Sequence, residues 1–223
     1  MDSTPSDTAV FTPHQQPVPQ NDAAELADLA HWAVAGSRSA PRGFQAIRPE
    51  DFQAATTPEP QELSLFEPGP DPEARRRFLH GLPYGTAISL AAERHEMDGL
   101  LLAAIVAVES RFTPEAVSPR GATGLMQVRP LVARAYGTHD LFDPYANVDV
   151  GSRYFRSLVK DYDGDLELAL AAYNAGPAAV ARYGGIPPYR ETRAYVRKVL
   201  DRYEEYNRRA NEARSSARAA RIM

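Results

Sequence analysis

The chain contains no cysteine. Disulfides and thiolate metal sites are therefore excluded, and no redox compartment follows. No run of about 18 apolar residues occurs, so no segment is suited to span a membrane as a helix. Strand-like alternation of apolar and polar residues is nearly absent, and no internal repeat is present. A marked excess of charge is missing too: 25 Lys and Arg against 29 Asp and Glu leave a net charge of −4. That balance gives no pull toward nucleic acid. The N-terminal MDSTPSDTAVFTPHQQPVPQ lacks the basic start and apolar centre of a secretory signal. Three expectations follow: no Sec export, a leader missing from this chain, or another export route.

What is present is unevenly placed. The 223 residues, 43% of them apolar, suffice for one medium domain plus additional material. Eleven of the 19 prolines lie at or before Pro72, and residues 1–70 carry a net charge of −7. Residues 1–70 are expected to be a largely disordered, Pro-rich arm, with a candidate short helix at 22–35 whose apolar face holds Leu26, Leu29 and Trp32. A mainly helical globular domain is expected over 71–206. A basic tail follows at 207–223, with five arginines against Glu212.

Within 71–206, breakers and caps divide the chain into successive helices. LPYG at 82–85 ends the first, and the next is expected over 86–95. Asp98 caps an apolar helix expected to run to about Arg111, before Pro114. Pro130 opens PLVARAY, closed by Gly137. Asn147 is expected to cap a helix through about Tyr162. Asp165 caps LELALAAYNAG, stopped by Gly176 and Pro177. AAVARY ends at Gly184. The last helix is expected from Glu191 to about Asn207, with Tyr195, Val199, Tyr203 and Tyr206 on one stripe.

The segment AIVAVESRF at 104–112 poses a chemical problem. At helical spacing Leu102, Ile105, Val106 and Glu109 share one face, so Glu109 ends a core-facing stripe. Burial disfavours the carboxylate, and the negative end of the helix dipole does the same. Both raise its pKa, and a carboxyl protonated near neutral pH can serve as a general acid. The alternative is a Glu that swings out to pair with Arg111.

Two further segments bear on this choice. SPRGATGLMQVRP at 118–130 is a loop whose glycines permit close backbone approach to a ligand. Met126 adds an adaptable apolar surface and Gln127 an amide that both donates and accepts, which suits a sugar bearing an N-acetyl group. AYNAG at 172–176 offers Tyr173 to stack on a pyranose and donate its hydroxyl, with the Asn174 amide beside it. A plain turn, a packed tyrosine and a capping asparagine remain open as readings.

Taken in order, VESRF at 108–112, AVSPRGATGLMQVRP at 116–130, DP..NVDVG at 143–151, AAYNAGP at 171–177 and GGIPPYRETRAYV at 184–196 resemble the soluble lytic transglycosylase family. The resemblance covers about 71–206. It implies a lysozyme-like, mainly α domain that cleaves peptidoglycan glycan strands. Glu109 then matches the catalytic acid, followed by Ser110. Met126 and Gln127 match a cleft-lining element, Tyr173 and Asn174 an element beside the acid, and Glu191 an element closing the same side.

The implied reaction is non-hydrolytic cleavage of the MurNAc–GlcNAc β-1,4 bond, leaving a 1,6-anhydro-muramyl end. It needs only one carboxyl, because the substrate acetamido group assists. A hydrolytic muramidase would need a second carboxylate, for which Glu115, Asp143, Asp149 and Glu191 are available. A non-catalytic glycan-binding module is the other alternative. No metal and no organic cofactor are implied, and HEMDG at 95–99 lacks the second histidine of a zinc-protease helix. The expected partner is peptidoglycan, with no nucleic acid. The N-terminal arm is a candidate contact for an envelope or secretion assembly. The expected location is the periplasm or cell envelope, with a secretion system or virion as second reading.

Overall fold

The computed structural model describes residues 71–138 and 140–220, with side chains through residue 212. The expected helix at 22–35, with the rest of 1–70, lies outside the described residues. Eight helices follow in order: α1 Pro72–His80, α2 Gly85–Arg94, α3 Gly99–Glu109, α4 Pro130–Ala135, α5 Pro144–Asp161, α6 Leu166–Ala175, α7 Pro177–Tyr183 and α8 Arg190–Ala220. Two isolated antiparallel bridges, Val117 with Thr123 and Thr123 with Val128, are the β-structure among the described residues.

Aspartates start four of these helices. Asp71, Asp98, Asp143 and Asp165 each accept a backbone N–H from the first turn. Each satisfies a donor that the helix itself cannot, an effect of about 1 kcal/mol. Asp143 therefore corrects the expectation for Asn147. The helix begins one turn earlier, and Asn147 lies inside α5 and is fully buried.

The central element is α3. Sequence periodicity suggested one buried face, but every residue from Leu100 to Val106 is buried. A helix apolar all round can only be enclosed. α1, α2 and α8 pack on it. α5 and α6 pair beside this group, α6 also meeting α7 and α8, and α2 meeting α5. Burying one Leu, Ile or Val side chain contributes about 1.5–3 kcal/mol, so Leu100, Leu101, Leu102, Ile105 and Val106 make α3 a large contributor to the core.

Asp98 ties the ends of these elements together. Its Oδ1 accepts the backbone N–H of Leu100 at 2.8 Å and of Leu101 at 3.2 Å. Its Oδ2 accepts the Tyr203 hydroxyl of α8 at 2.7 Å and the Arg75 guanidinium of α1. Arg75 also donates to Asn207 of α8. One side chain thus caps α3 and fastens it to α1 and α8.

α8 is longer than the sequence suggested, continuing past Asn207 to Ala220. Its apolar stripe persists because α1 gives it a partner. Tyr206 and Ala210 are buried, the Tyr206 ring lies 5.5 Å from that of Phe78, and Arg209 sits 5.2 Å from the Phe78 ring centre. No helix among the described residues is long and apolar enough to cross a membrane.

Candidate active site

Glu109 is the last residue of α3. Helix periodicity would allow the helix to continue to Arg111, yet it stops at Ser110. The Ser110 N–H and hydroxyl both donate to the Val106 carbonyl, at 3.1 and 3.2 Å. Arg111 and Phe112 then adopt left-handed backbone conformations, with φ of 53° and 61°. Such angles cost roughly 1 kcal/mol or more per non-glycine residue. The chain turns sharply there, leaving Glu109 at the mouth of the core instead of in a longer helix.

Burial is the main influence on the Glu109 carboxyl, and its pKa is pushed up from 4.5 to about 7. The Tyr195 hydroxyl opposes that rise, and the negative Glu191 carboxylate adds to it. No arginine is among the groups that set its charge, so the swung-out pairing with Arg111 is not the arrangement seen. Tyr195 is buried, and its hydroxyl neighbours the carboxyl, yet it completes a hydrogen bond to no described group. Proximity without a formed bond makes it a poised donor. Glu191 is exposed on the first turn of α8, where the helix dipole favours its charge. Glu191 and Tyr195 are four residues apart, so they share the helix face turned toward Glu109.

The loop over 116–128 forms the facing wall. Asn147 holds it from beneath: its Oδ1 accepts the Met126 N–H at 2.8 Å, and its Nδ2 donates to the carbonyls of Thr123 and Leu141, both at 2.8 Å. The loop can lie this close because α5 carries Gly151. A β-carbon there would come within 2.7 Å of the Met126 sulfur.

Met126 itself is fully buried against Gly151 and Ser152. The expectation that its side chain offers surface to a ligand is therefore corrected: it is the loop's apolar anchor. Its carbonyl accepts the Tyr173 hydroxyl at 2.8 Å. That bond occupies the Tyr173 proton expected for a ligand, and the ring packs against Tyr154 and Phe155 with centroids 5.6 and 5.8 Å away. Burial and the neighbouring Glu109 carboxylate push the Tyr173 pKa well up, so it stays a neutral wall.

Gln127 has a positive φ of 47°, and its amide donates to the carbonyls of Ala116 and Gly124, both at 3.0 Å. Both amide hydrogens are thereby engaged, which leaves Oε1 as the acceptor available to a ligand. Asn174 Oδ1 accepts the buried Thr192 hydroxyl at 2.8 Å, tying the end of α6 to the start of α8. Thus Glu109, Tyr173, Glu191 and Tyr195 form one electrostatic group, and Met126 joins it through Tyr173. Ser110, Gln127 and Asn174 brace the surrounding backbone.

The candidate second carboxylates separate clearly. Glu115 is exposed. Asp143 is used to cap α5. Asp149 accepts from His95 at 2.9 Å and Arg94 at 2.8 Å, and the His95 bond chiefly holds its pKa below the usual carboxylate range. Of the four, Glu191 alone bears on Glu109. Tyr195 was missed as a site residue because it also belongs to the apolar stripe of α8. Its spacing of four from Glu191 was the available signal. No group of three metal-ligating side chains occurs among the described residues.

Residues 86–196 match the family described as "Transglycosylase SLT domain". The soluble lytic murein transglycosylase of Salmonella typhimurium is 33% identical over 128 residues, which cover 47% of this chain and 20% of that protein. The transglycosylase of Enterobacteria phage PRD1 is 33% identical over 119 residues, covering 53% and 42%. Among solved structures, an inactive Glu-to-Gln mutant of lytic transglycosylase Slt from Pseudomonas aeruginosa superposes with a TM-score of 0.52 at 29% identity, over 56% of this chain and 24% of that one. The chain thus spans from about a fifth to about two fifths of the length of these curated relatives. The mainly α architecture anticipated above is the one found in the described residues, and it is with this that the Slt structure superposes.

Proposed function

Residues 86–196 of this chain belong to the transglycosylase SLT domain family, and from that premise we propose that the protein is a peptidoglycan lytic transglycosylase with Glu109 as its acid and base. The observation that carries this reading is the carboxyl of Glu109, desolvated at the end of an enclosed helix and protonated up to about pH 7. A general acid works best when its pKa lies near the working pH.

Protonated Glu109 donates to the oxygen between muramyl C1 and the GlcNAc C4 carbon, and the C1–O bond breaks. The muramyl 2-acetamido carbonyl shields the cationic C1. Glu109, now a carboxylate, takes the proton of the muramyl C6 hydroxyl, and that oxygen closes on C1. The products are a 1,6-anhydro-muramyl end and a free GlcNAc hydroxyl, with no water consumed. Glu109 ends protonated, as it began. Tyr195 stands ready to hydrogen-bond the transient carboxylate, which its unpartnered hydroxyl supports. Gln127 Oε1 is placed to accept an acetamido N–H. Tyr173, Asn174, Ser110 and Met126 hold the walls. Glu191 adds by its charge to the burial that keeps Glu109 protonated. Such a protein acts on the peptidoglycan side of a cell envelope.

The test is mass spectrometry of muropeptides released from purified sacculi. Anhydro ends are expected. Reducing ends would instead identify a hydrolytic muramidase, with Glu191 the carboxylate available to activate water. Glu109→Gln should lower release at least about a thousandfold while sacculus binding persists. Release at the original rate would remove Glu109 from the chemistry.

A further inference from the structure

A second titratable cluster lies along α5. Tyr154, Ser157 and Asp161 recur at spacings of three and four, so they share one helix face about 10 Å long. Tyr136, just beyond α4, covers the middle of this face: its hydroxyl lies 3.3 Å from Ser157 Oγ, and its ring is 6.3 Å from that of Tyr154. Arg153 sits 4.9 Å from the Tyr136 ring centre, and Arg129 bears electrostatically on Tyr154. Tyr154 in turn packs on Tyr173, the wall beside Glu109. The strip is therefore continuous with the candidate active site at one end and reaches Asp161 at the other.

Asp161 is the anomaly. It is the last residue of α5, where the helix dipole opposes a negative charge. It is half-buried, and neither a hydrogen bond nor a neighbouring cation is among the influences on its carboxyl. Desolvation alone pushes its pKa up to about 6. Its charge is felt by Tyr136, Tyr154 and Tyr162, and the buried Tyr162 hydroxyl also lacks a partner. Partly desolvated carboxylates without partners are costly, and they concentrate at binding sites. The chemistry that would satisfy this one is a cation with hydrogens to donate.

We propose that the strip made by Tyr136 and the α5 face running from Tyr154 to Asp161 binds the peptide carried by the glycan strand and places that peptide's free amino group on Asp161. This rests on the peptidoglycan reading above. Peptidoglycan peptides combine carboxylates with a diamino acid, and the strip presents Arg129 and Arg153 together with Asp161. The tyrosines between them supply flat apolar contact for the peptide stem.

The test compares three substrates: strands with intact peptides, the same strands with amino groups acetylated, and strands stripped of peptide by an amidase. For the unaltered protein, acetylation should raise KM about tenfold with kcat within about twofold. Asp161→Asn should show the raised KM on intact strands and lose the distinction between intact and acetylated ones. On stripped strands the variant and the unaltered protein should share one KM. Equal sensitivity to acetylation with and without Asp161 overturns the proposal, as does an equal loss on stripped strands. Should no strand be cleaved, titration of a soluble amine-bearing muropeptide against Glu109→Gln, with and without Asp161→Asn, decides the same question independently of turnover. A tenfold weaker binding in the double variant upholds the strip, and unchanged binding rejects it.

Discussion

Glu109 holds its proton to about pH 7 in the folded chain and would release it near 4.5 in the unfolded one. Because the folded value is the higher, its contribution to stability is complete below about pH 4.5 and is lost as pH rises through 7. The separation is worth roughly 3 kcal/mol. Glu109→Gln should therefore melt like the original protein at pH 4 and at a higher temperature at pH 8.5. A glutamine variant that is no more stable at pH 8.5 would show that the carboxyl is well solvated. For the original protein, kcat/KM should fall about tenfold per pH unit above 7 as the acid form disappears. Tyr195→Phe removes a hydroxyl that favours the carboxylate. It should move that alkaline limb upward by about half a pH unit. An unmoved limb in a folded variant would detach Tyr195 from the titration. Much of this residue-scale arrangement was legible beforehand. Apolar spacing put Glu109 at the end of a buried stretch, and the direction of its pKa followed. Tyr195 was not legible, because an aromatic on an apolar helix stripe reads as core. Met126 misled for a related reason: a methionine in a glycine-rich loop suggests ligand contact, whereas here Gly151 makes room for it inside.

Asn147 shows why elements were easier to name than to join. The periodic segments and breakers located all eight helices, but an asparagine near a helix start suggested a cap. Only the tertiary arrangement reveals that it meets three backbone groups of the 123–141 region. Asn147→Ala would leave the Met126 N–H and the Leu141 carbonyl unpaired in the interior, while the Thr123 carbonyl keeps the Val128 N–H. At about 1–3 kcal/mol for each buried orphan, a loss of about 3 kcal/mol or more is expected in denaturant unfolding. Asn147→Asp should also destabilise, since two carbonyls would then face an acceptor. Gly151→Ala tests the same contact from below. Its β-carbon would displace Met126, at a cost of about 1–3 kcal/mol. Because Met126 carries the acceptor for Tyr173, activity should fall further than stability explains. A fully active Gly151→Ala protein would show that the loop adjusts without disturbing the site. The left-handed turn at Arg111 and Phe112 was also invisible to periodicity, since neither residue type favours that conformation.

Across the whole molecule, Asp98 is the point where α1, α3 and α8 meet. Asp98→Ala removes a helix cap and deprives the largely buried Arg75 of its carboxylate partner, leaving it the Asn207 amide oxygen. A loss of about 3 kcal/mol is expected in thermal or denaturant unfolding. An ordinary surface-sized effect would mean that Arg75 and Tyr203 find other partners. Residues 71–223 contain every contact described above, so we expect a chain beginning at Asp71 to melt cooperatively and, on the proposed function, to release muropeptides from sacculi at the full-length rate. The helical class was readable from the absence of strand alternation. The extension of α8 to Ala220 was not, because its continuation depends on a partner, α1, more than 120 residues earlier.

The all-round enclosure of α3 has a consequence for how such an enzyme could adapt. The proposed acid owes its raised pKa to burial at the end of this packed stretch, so an interior substitution that opened a water path to Glu109 would reset the working pH without touching the glycan. Drift in interior residues would then surface as drift in preferred habitat acidity, and the optimum of catalysis becomes a gauge of how dry the centre of the protein is kept.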